Sequence, residues 1–144
     1  MHDTNNGTKG KIFELNIQQA ILQMANKKTL VLGASPNPAR YSYLAVNKLK
    51  RYNHPVIGIG KRKGMAGDVE VTTEQKPFDD IDTITLYLNP HNQKQYYDYI
   101  ISLKPKRIIF NPGTENPELY KLAKENNIQV MEACTLVLLS TGQY

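Results

Sequence analysis

One stretch near the start of the chain, residues 29–41, constrains the fold more than any other, and its sequence is TLVLGASPNPARY. Its apolar first half lacks polar alternation, which favours a strand covered on both faces, as in a parallel sheet. Gly33 permits a sharp turn, and Asn37-Pro38 matches a helix N-cap followed by proline at the first helical position. Free amides and the helix dipole converge at such a turn. We therefore expect a phosphate-bearing ligand at residues 33–42.

Strand-like and helix-like patterns alternate along the rest of the chain, which predicts an α/β, Rossmann-like fold with a parallel sheet of about five strands between two helical layers. We expect a disordered lead-in over residues 1–10 and a single domain over residues 11–144. An extra N-terminal amphipathic helix, residues 12–24, should pack on this domain through Phe13, Ile17, Ala20, Ile21 and Met24. The expected strands are 29–32, 56–60, 83–88, 107–110 and 128–131, with 61–82 as a long loop that has a short extended piece at 69–71. The expected helices are 38–52, with a core-facing stripe of Tyr41, Leu44, Ala45, Leu49 and Tyr52, then 92–103, 117–126 and 135–139. Asn116-Pro117 repeats the pattern of an N-cap followed by proline at the start of the helix 117–126.

Composition excludes several classes of protein. The 144 residues contain no apolar run near the roughly 20 residues of a membrane span. The polar N-terminus lacks the apolar centre of a signal peptide, so a cytoplasmic location is expected. Cys134 is the single cysteine and cannot form an intramolecular disulfide, and the three histidines show no metal-ligand spacing with it. We therefore expect no metal site.

The net charge of +5 suits a polyanionic partner, and the run Lys61-Arg62-Lys63 follows the second expected strand. Ligands of parallel sheets bind beyond the carboxyl ends of the strands, here the turns 33–41, 60–64, 88–92 and 111–116. In the dinucleotide pattern G-x-G-x-x-G, only Gly33 is retained, because Ser35 and Pro38 replace the other glycines. Cations stand where an NAD site needs a carboxylate, which favours a ribose phosphate, as in NADP or coenzyme A.

The run from Leu32 to Ser42 resembles the small, stand-alone CoA-binding domain family (the YccU-like group), with its pattern G-A-S-x-x-P-x-R-x-S. The resemblance covers about residues 26–140. It departs from the family at Gly60-Lys61-Arg62, where members often have Asn-Pro, and at Asn89-Pro90, where they have Arg-Pro. Further matching segments are Pro55-Val56-Ile57, Asp82-Thr83, Gly113-x-Glu115-Asn116 and Cys134.

This resemblance implies the fold of the CoA-binding domain of the succinyl-CoA synthetase α subunit, with strand order 3-2-1-4-5, and coenzyme A or an acyl-CoA as ligand. It also implies four sets of contacts along the carboxyl edge of the sheet. The CoA phosphates would meet Gly33, Ala34, Ser35 and Pro36 together with Arg40, Tyr41 and Ser42, and the 3′-phosphate or adenosine end would meet Gly60, Lys61 and Arg62. The adenine would border Leu88, Asn89 and Pro90, and the turn Asn111-Pro112-Gly113 would flank the pantetheine arm.

We expect a cofactor-binding protein that catalyses no reaction alone, because one domain leaves no room for the further domains of succinyl-CoA synthetase. No catalytic residue is assigned. The helix dipole favours an acidic residue at the start of a helix, which explains Glu115 without catalysis. A free cysteine such as Cys134 is more often a small buried hydrophobic residue than a nucleophile. One alternative is an NADP-binding redox or regulatory domain with His91 or Tyr97 as proton donor. A second is a basic nucleic-acid-binding module that uses the tyrosines of residues 96–99. We also expect Gly33→Val to abolish ligand binding and leave the fold intact.

Overall fold

The computed structural model describes residues 10–17 and 26–144. Within these ranges, none of the helices is both long and apolar enough to cross a membrane. The strands are β1 (Thr29–Leu32), β2 (Val56–Ile59), β3 (Gly64–Ala66), β4 (Val69–Thr72), β5 (Thr83–Leu86), β6 (Arg107–Phe110) and β7 (Gln129–Glu132). The helices are residues 10–17 (α1), α2 (Tyr41–Arg51), α3 (Pro90–Gln93), α4 (Tyr97–Leu103), α5 (Pro117–Glu125) and α6 (Thr135–Ser140), with a 3-10 turn at Lys94–Tyr96 between α3 and α4.

One sheet contains all seven described strands, in the order β3-β4-β2-β1-β5-β6-β7. Every neighbouring pair is parallel except the antiparallel hairpin β3–β4. β1 lies at the centre, where Thr29 pairs with Val56 of β2 and with Thr83 of β5. All four residues of β1 are buried, as its unbroken apolar run predicts. The α/β, Rossmann-like class is confirmed.

The strand count and the placement of one strand differ from the prediction. Residues 61–82 contain two short strands, and β4 pairs with the outer side of β2. If only the parallel strands are numbered along the chain, their order in the sheet is 3-2-1-4-5-6. β4 is then the third strand and lies beside β2. The strand at 83–86, which was predicted to be the third, is the fourth and lies beside β1. Val71 is the one fully buried residue of β4. The short extended piece predicted at 69–71 lies within β4, but a single buried residue between polar neighbours gives too weak a pattern to predict its pairing with β2.

Two apolar cores fill the two faces of the sheet. One lies under α4 and α5, where Ile100, Leu119 and Ala123 pack against Ile84 and Ile108. The other lies under α2 and α6, and its members include Val31, Val46, Leu49, Ile109 and Leu139. The chain therefore has the expected three layers.

α1 differs from the expected packing. Ile12, Phe13, Leu15 and Ile17 are between 43% and 66% exposed, so the described part of the N-terminal helix does not pack on the domain as predicted. The other predicted contacts of this helix, Ala20, Ile21 and Met24, lie outside the described residues, as does the predicted lead-in up to residue 9.

The buried face of α2 also differs from the predicted stripe. Tyr41, Leu44 and Tyr52 are 72%, 45% and 45% exposed, whereas Ser42, Ala45, Val46 and Leu49 are buried. Two members of the predicted stripe, Ala45 and Leu49, are therefore confirmed, and the other three are wrong. The observed face has small and medium side chains at i, i+3, i+4 and i+7, which lets the helix lie close to β1 and β2.

The turn after β1 is tied to the strands on both sides of it. The amides of Gly33 and Ala34 both donate to the carbonyl of Ile59, at 2.8 and 2.9 Å. Gly33 has φ of +93°, and a Cβ there would lie 2.7 Å from the carbonyl oxygen of Tyr87. A side chain at this position would push against backbone, so the expectation that Gly33→Val leaves the fold intact is wrong.

At the amino edge of the sheet, buried Tyr144 holds together residues that are far apart in sequence. Its ring lies 4.4 Å from the Arg107 guanidinium and 4.7 Å from the His54 ring. Its backbone oxygen accepts from Lys27 Nζ at 2.7 Å, and its hydroxyl shares a hydrogen bond with Thr29. The buried His54 also accepts the Lys27 amide at Nδ1, 2.9 Å away. This cluster therefore requires neutral His54.

We expect Gly33→Ala to lower the free energy of unfolding more than Gly113→Ala. Both glycines have φ near +90°, at 93° and 91°, so alanine is strained at each by about 1–2 kcal/mol. A Cβ on Gly113 meets nothing within 4 Å, whereas on Gly33 it meets the Tyr87 carbonyl. Urea denaturation of the two variants measures the difference. Equal losses would contradict close packing of the turn after β1.

Stability should fall in mild acid because of His54. Desolvation lowers the pKa of His54 below its usual 6.5, and the nearby Lys27 and Arg107 lower it further, against a smaller opposing effect of Asp82. The unfolded chain then takes up the proton more readily than the native protein, so stability is lost as the pH falls below about 6.5 towards the folded-state pKa.

We expect His54→Asn, which keeps an acceptor near the position of Nδ1, to lose part of the pH dependence between about pH 7 and 5. The exposed His91 supplies the matched control, His91→Asn. Denaturant midpoints across this pH range give the measurement. A wild-type pH dependence that His54→Asn leaves unchanged would show that this histidine is not the sensitive group.

Candidate functional site

The four turns predicted to bind ligand lie next to one another at the carboxyl edge of the sheet. The 33–36 turn lies between the end of β2 and the segment after β5. A Cβ on Gly60 would lie 1.9 Å from the Ala34 carbonyl oxygen, and one on Gly33 would lie 3.0 Å from the Leu88 side chain. On the far side, the buried Gln93 joins Leu88 to Thr114. The predicted site residues are therefore brought to one edge.

The buried Gly60 has a structural role at this edge, since the Ala34 carbonyl occupies the space of its missing side chain. A Cβ on Gly64 would lie 2.7 Å from Pro36, so the turn after β1 rests directly on the 60–64 loop. The three cations between these glycines, Lys61, Arg62 and Lys63, are all exposed. None of them has an ion pair within the described part of the chain. They lie beside the 33–36 turn with their charges uncompensated.

The first turn of α2 is open to an anion, although the helix begins later than predicted. Asn37 is not the N-cap: its Oδ1 accepts from the Ala39 amide at 3.0 Å, and its own amide donates to Ser35 Oγ at 3.0 Å. Helix α2 begins at Tyr41, with Arg40 at the N-cap position and no side-chain cap hydrogen bond. The Asn37 side chain closes a turn of its own, so the helix begins at Tyr41 and not at the predicted residue 38.

Charge at this helix start also favours an anion. The first turn of α2 contains no acidic residue, and Arg40 is exposed next to it. Arginine opposes the helix dipole here, so a bound anion would stabilise an arrangement that is otherwise unfavourable. Tyr41 is the most exposed large hydrophobic residue of this helix, and Ser42 is buried beneath it.

In the turn after β5, Asn89 caps the short helix α3. Asn89 Oδ1 accepts from the Asn92 amide at 2.9 Å, and Pro90 occupies the first turn. Leu88 is buried, whereas Asn89 is exposed at the edge. The cap and proline fix the direction of the chain as it leaves the sheet.

In the turn after β6, Pro112 and Gly113 are exposed and Gly113 has φ of +91°. The Gly113 amide donates to the Glu115 carboxylate, at 3.2 and 3.0 Å from its two oxygens. Glu115 therefore has a partner within its own turn. The predicted N-cap at Asn116 is confirmed: its Oδ1 accepts from the amides of Glu118 and Leu119.

Buried amide side chains hold these turns together. The sequence placed Asn111 in the turn along the pantetheine arm without this role, and it did not single out Gln93. Asn111 Nδ2 donates to Thr85 Oγ1 at 2.6 Å and to the Leu86 carbonyl at 2.8 Å, while its Oδ1 accepts from the Thr135 amide at 2.9 Å. Gln93 makes a similar set of bonds on the other side of the turn. The sequence signal for this network is an amide residue close to the end of a strand. Such residues are too common to distinguish a buried hydrogen-bond network from exposed polar side chains.

Cys134 and Tyr87 lie near this edge on the α2–α6 face of the sheet. Cys134 is half-buried and precedes α6, whose N-terminus it does not cap through its side chain. Desolvation raises the pKa of Tyr87 far above its usual value, and the nearby Cys134 raises it further. The Tyr87 phenol therefore stays protonated at physiological pH.

Two cavities lie away from the carboxyl edge. A groove of about 680 Å³ follows the outer face of α2, with Leu44, Lys48, Arg51 and Leu136 among its lining residues. A smaller one of about 390 Å³ lies near Lys104 and Asn127. Neither contains a predicted site residue. The candidate site is thus an open edge formed by loops, and within the described residues no three metal-ligating side chains cluster.

Comparison with solved structures agrees with this fold. The crystal structure of an uncharacterized protein is 50% identical, has a TM-score of 0.81, and is matched over 83% of this chain and 99% of that one. A hypothetical protein from Pyrococcus horikoshii OT3 is 22% identical, with a TM-score of 0.74 over 85% and 87% of the two chains. The cell-free ID.343 structure from Thermus thermophilus is 21% identical, with a TM-score of 0.70 over 90% and 98%. The two more distant structures share the fold.

Comparison at the level of sequence families identifies the domain. Among curated proteins, no significant match was found. The sequence model of the CoA binding domain matches residues 27–140, which include every strand and all four turns of the carboxyl edge. This span agrees with the range over which the sequence motifs resemble the family. The chain therefore belongs to the CoA binding domain family.

Proposed function

We propose that this protein binds coenzyme A, or an acyl-CoA, along the carboxyl edge of its sheet and catalyses no reaction alone. The observation that carries the proposal is the start of α2, which has no side-chain cap, no acidic residue in its first turn and an exposed arginine at the N-cap. Membership of the CoA binding domain family supports a CoA-type ligand. The open edge suits a long ligand that crosses several loops.

The CoA pyrophosphate would lie at the start of α2. The amides of Gly33 and Ala34 are already bonded to the Ile59 carbonyl, so these residues act by shaping the turn. The direct donors would be Ser35, the first-turn amides at Tyr41 and Ser42, and the Arg40 guanidinium. The dipole and the arginine charge then act on the same phosphates.

The 3′-phosphate would lie beside Lys61 and Arg62. Both side chains are exposed and have no ion pair among the described residues, and they belong to the 60–64 loop that supports Pro36. Arg-to-phosphate contacts are short and often bidentate, which suits recognition of a terminal phosphate. The adenine would border Leu88, Asn89 and Pro90, and the pantetheine arm would pass Pro112 and Gly113.

The part of the proposal that assigns no catalysis rests on the surroundings of three side chains considered for chemistry, Glu115, Tyr97 and His91. The Glu115 carboxylate accepts the Gly113 amide, so its geometry serves the turn. The Tyr97 hydroxyl, considered as a proton donor in a redox reaction, is held by the same Asn116 side chain that caps α5, which donates to it from Nδ2 at 2.8 Å. His91 is exposed on α3.

We expect coenzyme A to raise the thermal stability of the protein and dephospho-CoA to raise it less. A ligand at about 100 times its dissociation constant adds about 2.7 kcal/mol to the free energy of unfolding. Differential scanning fluorimetry with CoA, dephospho-CoA, NADP, NAD and a short oligonucleotide compares the classes of ligand. A response to NADP or to the oligonucleotide, with none to CoA, would overturn the proposal.

Two sets of substitutions should map the two phosphate regions separately. We expect Lys61→Gln with Arg62→Gln to weaken CoA about tenfold and dephospho-CoA much less, because only CoA carries the 3′-phosphate. Arg40→Gln should weaken both ligands alike, because both carry the pyrophosphate. The control pair is Lys121→Gln with Lys124→Gln, two exposed cations on α5. Calorimetric titration that finds equal effects of the 61–62 pair on both ligands would contradict this assignment.

A further inference from the structure

Gln93 connects the two turns that follow β5 and β6. Its side chain is completely buried. Its Nε2 donates to the Leu88 carbonyl at 2.7 Å and to the Thr114 carbonyl at 2.8 Å. One carboxamide group therefore joins backbone on either side of the gap between these turns.

The acceptor atom of the same carboxamide is also bonded. Gln93 Oε1 accepts from Asn116 Nδ2 at 2.8 Å, and Asn116 Oδ1 in turn accepts from the first amides of α5. Both donor hydrogens and the acceptor of Gln93 thus have partners. A fully bonded buried amide resists displacement, because any shift leaves polar groups unpaired in a dry environment.

We propose that Gln93 is a positioning residue that sets the separation of the turn at Leu88–Pro90 from the turn at Pro112–Thr114. The inference rests on the proposed function, in which the adenine borders the first turn and the pantetheine arm passes the second. Gln93 does not contact the ligand in this account. It acts through the backbone of the two turns, so that a ligand touching both finds them at the correct distance.

Substitution by methionine removes the three hydrogen bonds and keeps the length of the side chain. We expect Gln93→Met to weaken CoA about tenfold, and adenosine 3′,5′-bisphosphate, which lacks the pantetheine arm, less than about threefold. The matched control is Gln95→Met, an exposed glutamine two residues away whose one bond, to the Asn92 carbonyl, is 3.5 Å long. It should leave both affinities unchanged. Equal losses for the two ligands with Gln93→Met would indicate a purely structural residue and overturn the proposal.

A second variant keeps the test valid if Gln93→Met does not fold. Asn116→Asp retains an oxygen that caps α5 and loses the donor to Gln93 Oε1. We expect the same preferential loss of CoA over adenosine 3′,5′-bisphosphate, but a smaller one. No preferential loss in this variant would again count against the positioning role.

Hydrogen exchange separates failure of this inference from failure of the proposed function. In whichever of these variants folds, without any ligand, amides in residues 88–93 and in 111–116 should lose protection together while those of β1 and β6 keep theirs. Unchanged protection of both turns would overturn the role of Gln93 even if CoA binds. If both turns lose protection in the variant but the wild-type protein does not bind CoA, the coupling of the two turns by Gln93 is supported and the proposed ligand is rejected.

Discussion

The structure depends on the packing of the 33–36 turn between β2 and the segment after β5. The Ile59 carbonyl accepts two consecutive amides, and the Tyr87 backbone leaves no space for a side chain at Gly33. Gly60 has the same restriction on the other side, from the Ala34 carbonyl. These contacts fix where α2 can begin. They bring an uncapped helix start to the same edge as the turns after β5 and β6.

In this arrangement, the residues that shape the turn after β1 are not the residues that are free to bind a phosphate, although a sequence motif presents both as one unit. The glycine turn is often regarded as the phosphate contact, but its first two amides are already used within the fold. The free hydrogen-bonding capacity lies further along, at the start of α2, where Arg40 faces the unfavourable end of the dipole. Membership of the CoA binding domain family supports a CoA-type ligand, and the electrostatic arrangement at the start of α2 suits the phosphate groups of such a ligand.

Much of the fold followed from the sequence, because it rests on strong local signals. Short apolar runs located β1, β2 and β6, the alternation of strand-like and helix-like patterns located β5 and β7, and Asn116-Pro117 located the start of α5. The failures have physical causes. Val71 alone is too weak a signal to place the predicted extended piece at 69–71 beside β2, and the Asn37 side chain bonds within its own turn, although it was expected to cap the helix. The role of Gln93 depends on contacts with a residue 21 positions away, which no local pattern contains.

The central claim is that a CoA-type ligand lies along the carboxyl edge, anchored at the start of α2. Its most direct test is an amide-resolved NMR titration of the protein with coenzyme A. We expect chemical-shift changes at Ser35, Tyr41 and Ser42, and further along the edge at Leu88 and Gly113, whereas the amino-edge amides of Lys27 and His54 should be unaffected. Saturating CoA that shifts none of the carboxyl-edge amides, or shifts those of the amino edge instead, would contradict it.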